Sequence, residues 1–352
     1  MIANTNSPHT EKWALALCEQ GIDVHLFSID VVKEKLPWRN SLKSHFAAQE
    51  KDRFLPRKYF RLLKQLKLLI KKIKPDIVHA HYLSNYASLG VLSGFHPLVI
   101  TAWGSDVFQY PKQSFINAFL LKWVIKKADA CISTSEVMKR ELSLYTTKEI
   151  TVIPFGVDFD RYIGAAKKDE IIRIGIFKRL EKVYGLDRAI MVLPNVQKQL
   201  SDLKIELHVF GNGSEEEFLK KLSQEMQCRE SVIFHGWTKP EAVPTELEKL
   251  DLCLYLSERE SFGVALIEAM AAQKAMVVSD IPAFNDVAKN YAAVSFVNPF
   301  DLKQITAALV HQIRGLDISS KPSNTNARQQ FDIKQNIRVQ IELYEQLLKK
   351  NK

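Results

Sequence analysis

Residues 251–280, DLCLYLSERESFGVALIEAMAAQKAMVVSD, constrain the fold of this chain more than any other stretch. Two short apolar runs, 252–256 and 275–278, have the strand-forming composition of buried parallel strands. Between them residues 264–272 read as a helix that is apolar on nearly every face, interrupted by one carboxylate, Glu268. Burying a lone carboxylate is costly unless a partner receives it, so Glu268 needs one in the protein or in a ligand. The turn 257–263, Ser-Glu-Arg-Glu-Ser-Phe-Gly, leads from the first strand into the helix. A polar, glycine-ended turn there sets free N–H groups and a positive dipole end at the strand's carboxyl edge, where a phosphate fits. Glu260 stands on that turn and Glu268 about two helical turns farther in. The plain alternative is a capped helix with Glu260 solvated and Glu268 in a structural salt bridge.

The same alternation runs along the rest of the chain. Strands are expected at 24–29, 76–82, 98–104, 129–134 and 150–153, with helices at 10–20, 84–94, 115–127 and 135–144 between them. Residues 1–3 can supply only the stub of a first strand. A second set of strands is expected at 171–177, 205–210, 232–235 and 293–297, besides the two that flank the central helix. At about 150 residues per domain, 352 residues make two domains, each with its own core. The charged, small-residue stretch 164–170 reads as the linker. No G-x-G-x-x-G follows a strand with an acid about 20 residues on, which disfavours a nicotinamide-dependent dehydrogenase.

Composition excludes other classes. With 46% apolar and 25% charged residues the chain is an ordinary globular protein. No apolar run approaches the ~18 residues of a membrane span, and the first residues lack a signal peptide's pattern. Cys18, Cys131, Cys228 and Cys253 are scattered without ligand spacing, as small core residues in a reducing compartment are. A cytoplasmic protein is expected. The formal charge of +9 calls for an anionic partner: nucleic acid, nucleotide phosphate or acidic lipid.

The charge concentrates in residues 51–74. Tyr59, Leu62, Leu63, Leu66, Leu69, Ile70 and Ile73 form an apolar stripe at helical spacing, and Arg57, Arg61, Lys64, Lys67, Lys71, Lys72 and Lys74 cover the remainder. One reading is a surface helix docked on a sheet with its lysines solvated. The other is a face drawn to an anionic membrane, at about 1 kcal/mol per basic residue near the surface. No aromatic pattern of a nucleic-acid reader interleaves the charge, so nucleic acid is not expected as a partner.

Glu260-Ser261-Phe262-Gly263, four residues and then Glu268 resembles the E-x7-E motif of retaining family 4 glycosyltransferases, which have the GT-B fold. KPDIVHAHY (74–82), ITAWGSD (100–106), IPFGVD (153–158) and KRLEKVYG (178–185) resemble further segments of that family, so the resemblance covers nearly the whole chain. It implies an α/β architecture of two Rossmann-like, doubly wound parallel-sheet domains facing a cleft. Residues 1–160, plus a crossover helix at 335–352, would form the acceptor side; 161–334 would bind a nucleotide-sugar donor. It implies a hexosyltransferase of cell-surface polysaccharide assembly, of the O-antigen or capsule type. Such an enzyme moves a sugar from a UDP- or GDP-sugar to a glycan or lipid-linked acceptor with retained configuration.

On the matching positions, Glu260 would hold sugar hydroxyls, Glu268 the ribose, and His81 the far side of the sugar. Arg179 and Lys182 would stabilise the departing diphosphate, which gathers negative charge in the transition state. Lys182 is a substitute here, since Tyr184 precedes Gly185 where the family has its lysine. Ser261, Phe262, Gly263, Val264 and Gly211 would line the donor site, with Trp237 walling the base. Ser7, His9 and Asp106 would face the acceptor. Ser7-Pro8-His9 replaces the family's glycine-bearing loop, and Trp103 stands where the family often has histidine. No cofactor and no metal are expected, because cations and a helix end already stand at the phosphate site. Docking at the inner face of the plasma membrane is expected from the basic helix and the family. Two alternatives remain open: a GT-B sugar-nucleotide epimerase, and a non-catalytic nucleotide-sugar-binding protein.

Overall fold

A computed structural model of the chain describes residues 1–30, 43–46, 55–162, 170–316 and 321–350. Residues 164–169 of the expected linker, 51–54 of the basic stretch and 351–352 of the last helix lie outside them. The chain divides into two units, Met1–Phe155 with Ile333–Lys352, and Gly156–Asp332.

The first unit runs α1 (Pro8–Glu19), β1 (His25–Ser28), β2 (Lys43–Phe46), α2 (Leu55–Ile73), β3 (Val78–His81), α3 (Asn85–Ser93) and β4 (Leu98–Ala102). It continues through α4 (Ser105–Phe108), α5 (Tyr110–Gln113), α6 (Phe115–Lys127), β5 (Ala130–Ser133), α7 (Glu136–Leu142) and β6 (Ile150–Val152). The second unit runs β7 (Ile171–Phe177), α8 (Leu186–Gln199), β8 (Lys204–Phe210), α9 (Glu216–Glu225), β9 (Val232–Gly236), α10 (Val243–Glu248) and β10 (Leu252–Tyr255). Then come α11 (Val264–Ala271), β11 (Ala275–Ser279), α12 (Pro282–Ala288), β12 (Val294–Val297), α13 (Leu302–Arg314) and α14 (Thr325–Phe331). The last helix, α15 (Ile333–Lys350), belongs to the first unit.

All strand pairs among the described residues are parallel. In the first unit β3-β4-β5-β6 and β1-β2 are joined by a single residue: Ile2 bridges to Phe27 of β1 and Ala80 of β3. The stub expected from residues 1–3 is thus a whole strand position filled by one residue. The order reverses on either side of Ile2, and that switch point places the loop after Ile2 beside the end of β3.

Both faces of this sheet are covered, so β3 and β4 are buried at every residue. Leu98, Ile100 and Ala102 of β4 pack with Leu121, Val124 and Ile125 of α6, while Val99 points the other way, among Trp13, Leu17, Ile337 and Tyr344. Helix α2 buries Leu62 and Leu66 and leaves Arg57, Arg61, Lys64, Lys67, Lys71 and Lys72 exposed, as is Lys74 just after it. No helix among the described residues is long and apolar enough to cross a membrane. The short helices α4 and α5, at 105–113, have no counterpart in the sequence reading.

The second unit has the order β12-β11-β10-β7-β8-β9. Its reversal lies between β7 and β10, so the segments after those two strands meet at one sheet edge. These are the segments that begin at Lys178 and at Leu256. Ile174, Ile176, Leu252, Leu254 and Val277 form one buried face with α8 and α13.

Candidate active site

At the second unit's switch point, the ammonium of Lys178 forms an ion pair with Glu260. Ser257 Oγ donates to the same carboxylate oxygen at 3.2 Å. Only 11% of the Lys178 side chain and 15% of Glu260 are exposed. Three rings crowd the ammonium, Tyr184 at 5.2 Å and Tyr255 and Phe284 at 5.8 Å from their centroids. A charge pair so nearly dry strongly penalises removal of either partner.

Two glycines make this possible. Gly211 has φ 137°, and a Cβ there would lie 1.9 Å from the carbonyl oxygen of Lys178. Its bareness lets the loop after β8 press on the loop that carries the lysine. Gly263 has φ 112° and would bring a Cβ to 3.1 Å from the Phe284 ring. It opens α11 with no side-chain cap, leaving the helix's amino end to its backbone. Val264 is the first helical residue, Ser261 is half-buried, and Phe262 is buried edge-on against Phe331 at 6.0 Å. Glu258 pairs with Arg188 at 3.0 Å, and Arg188 also donates to the carbonyl of Leu256, which pins the turn.

Glu268 is half-buried on α11 and takes a hydrogen bond from the Tyr162 hydroxyl. Burial first, and then this carboxylate's charge, push the Tyr162 phenol up. The two cations expected at the diphosphate sit differently from Lys178. Arg179 is 73% exposed and pairs with Glu181 at 3.0 Å; Lys182 is exposed on the short turn 182–184. Sequence reasoning missed Lys178, although it stands in the same KR pair. Trp237, 61% exposed, lines a depression of about 450 Å³ with Phe210, His208 and His235.

The first unit's switch point is built from rings. His81, at the end of β3, is 1% exposed, and neither of its nitrogens has a hydrogen-bond partner among the described residues. It stacks on His79 at 4.1 Å and tilts against Trp103 at 5.2 Å. His9 stacks on Phe155 at 4.1 Å and meets Trp103 edge-on at 5.9 Å. Ser7 caps α1, accepting from the amide of His9 at 3.3 Å. Burial holds the His81 imidazole down to about 3 and that of His9 to about 4, with Lys12 adding to the second. Both rings are therefore neutral at physiological pH.

Asp106, expected on the acceptor side, lies beneath these rings' loop. It is fully buried, and its carboxylate accepts from the amides of Leu83 at 2.7 Å, Gly104 at 2.7 Å and Trp103 at 3.1 Å. Those three amides tie the carboxylate into the loop and shape it. His79, which the sequence analysis passed over, was signalled by its spacing: two residues from His81, it shares the same strand face. Among the described residues no group of three or more His, Cys, Asp or Glu is placed to hold a metal ion.

Residues 1–135 match the family model described as glycosyl transferase 4-like, and residues 159–316 match the one described as glycosyl transferases group 1. The chain belongs to these glycosyltransferases. Glycogen synthase of Mycobacterium tuberculosis is 24% identical over 67% of this chain and 59% of its own length. The O-antigen chain mannosyltransferase RfbU of Salmonella typhimurium is 26% identical over 66% of this chain and 65% of its own. The chain thus spans less than two thirds of either relative's length. In three dimensions it is similar to Anabaena Alr3699/HepE, solved in complex with UDP and glucose. The TM-score there is 0.76, over 98% of each chain at 15% identity. Two parallel-sheet α/β units and this likeness give the family's GT-B fold.

Proposed function

We propose that this protein is a retaining glycosyltransferase, moving a sugar from a UDP- or GDP-sugar to a glycan or lipid-linked acceptor. The observation that carries the reading is the Lys178–Glu260 pair, set at a sheet switch point before the uncapped amino end of α11. A carboxylate with two acceptor oxygens suits a polyol, and a desolvated ammonium beside a helix end suits a leaving diphosphate. Glu260 holds the sugar, Glu268 with Tyr162 holds the ribose, and His81 takes a further sugar hydroxyl. Lys178, Arg179 and Lys182 answer the developing phosphate charge, so no metal is required. Ser261, Phe262, Gly263 and Val264 line the donor site, and Trp237 walls the base. Ser7 and His9 face the acceptor. The bond from the anomeric carbon to the phosphate breaks, the acceptor oxygen bonds to that carbon on the same face, and the leaving phosphate takes the acceptor's proton, so the configuration is kept.

A UDP- and glucose-bound neighbour and a mannosyltransferase relative support a nucleotide-sugar donor and a surface-polysaccharide acceptor. The cationic outer face of α2 supports work at the inner surface of the plasma membrane, in the cytoplasm. The test is a panel of UDP-, GDP- and ADP-sugars with glycan and lipid-linked acceptors, read by product NMR for the anomeric configuration. Glu260→Ala and Glu268→Ala should each abolish transfer in a folded protein. Inverted product, near-normal transfer by both variants, or epimerised donor without acceptor would each refute the reading.

A further inference from the structure

A buried imidazole with both nitrogens unpartnered among the described residues forgoes hydrogen bonding, so its neighbours must hold it in place. Behind His81 lies the ring of His79, 4.1 Å away and 28° from coplanar. His79 is itself fixed at both nitrogens. Its Nδ1 lies 2.6 Å from the hydroxyl of Tyr344 on α15, and its Nε2 lies 2.6 Å from Thr101 Oγ1 on β4. The Gln340 amide nitrogen donates to the Tyr344 hydroxyl and stands 3.3 Å from Nδ1. With its oxygen accepting from Gln340, Tyr344 is set to donate its O–H in a hydrogen bond to Nδ1. The His79 proton then sits on Nε2, toward Thr101. Burial first, then the neighbouring His81 and Met1 amino group, hold this ring well below the ordinary imidazole range.

We propose that His79, clamped by Tyr344 and Thr101, is a positioning residue that holds His81 flat and keeps it beside an uncharged neighbour. His81 then meets a sugar hydroxyl as neutral imidazole, with one donor and one acceptor. This rests on the reading of His81 as a sugar-facing group. Glycosyl transfer gathers positive charge on the sugar ring. A cation behind or at His81 would oppose that charge, and a clamp that denies His79 a proton removes the opposition. The titratable groups facing His79 are His81, the Met1 amino group and the Tyr344 phenol. His79 also opens on a cavity of about 450 Å³, where His25, Asp23, Lys74, Asp76 and Glu345 complete the charged lining.

Tyr344→Phe keeps the ring, which meets His79 edge-on at 5.8 Å, and removes only the hydroxyl. Its loss frees the Nδ1 lone pair for a proton. The acid limb of the kcat/KM profile should move up by about one pH unit or more, with the donor KM little changed. In the double variant His79→Phe with Tyr344→Phe nothing is left to titrate behind His81, and the limb should return to its original position. A Tyr344→Phe profile that superimposes on that of the unaltered protein, or a double variant that stays shifted, overturns the proposal. An NMR titration of the histidine rings tests the clamp without substrate. His79 should take up a proton at higher pH in Tyr344→Phe than in the unaltered chain, and equal midpoints overturn the proposal. No transfer from any donor in the panel, with the NMR shift present, sinks the glycosyltransferase reading and leaves the clamp standing.

Discussion

The two units share one architecture and differ at the edge where each sheet reverses. In the first, the edge is a wall of neutral rings, His9, His79, His81, Trp103 and Phe155, and its carboxylate, Asp106, is tied to backbone amides. In the second, the edge holds a nearly dry ion pair, Lys178–Glu260, with more cations outside it. The same switch-point geometry therefore carries two kinds of surface. A neutral wall suits hydroxyl-rich, uncharged sugar and does not oppose positive charge on it. A charged edge suits a leaving phosphate, whose charge grows as the bond breaks.

Removing the ammonium tests this contrast hardest. Lys178→Met should lower kcat by about 10²- to 10³-fold, the scale of losing one preorganised group at a developing charge. It should also destabilise the second unit, because Glu260 is left buried without its partner. Turnover within a few-fold of normal would erase the distinction between the edges. Next in size, Asp106→Ala should cost about 3 kcal/mol in denaturant unfolding, since buried amides lose their acceptor. A loss of transfer without a loss of stability would return Asp106 to the acceptor.

Acidification should then separate neutral wall from ion pair. In the unfolded chain His81 takes a proton below its ordinary value of ~6.5; folded, it does so only at about 3. The unfolded state thus binds more protons over that window, and stability falls as pH drops through it. Going from pH ~7.5 to pH ~5 should cost about 2 kcal/mol for this ring alone. His81→Phe should remove that dependence; a pH-independent melting temperature in the unaltered chain would show that the wall is not held neutral. The smallest effect belongs to Arg179→Ala. An exposed pair contributes about 0–1 kcal/mol, so melting should hardly move. A fall in kcat without a change in melting would bring Arg179 to the phosphate beside Lys178, whereas no change in either would leave Lys178 to act without it.

Much of this was legible in the chain itself. Unbroken apolar runs such as 252–255 and 275–278 specify strands buried on both faces, and their alternation with helices specifies parallel sheets. The spacing of Glu260 and Glu268 around Ser-Phe-Gly marks a turn into a helix, which is local geometry and so is written locally. Which cation would meet Glu260 was not. Lys178 and Arg179 are adjacent and chemically alike, and only the packing of Tyr184, Tyr255 and Phe284 decides that one is buried and the other left in solvent. The fate of Asp106 was equally hidden, because the amides that hold it come from a loop 23 residues away as well as from its own turn. The clamp on His79 reaches 265 residues along the chain to Tyr344. Sequence fixes what a residue can offer and which face it shares with its near neighbours. Partners that distant are chosen only when the sheet and its last helix have packed, because burial and hydrogen-bond satisfaction are settled there.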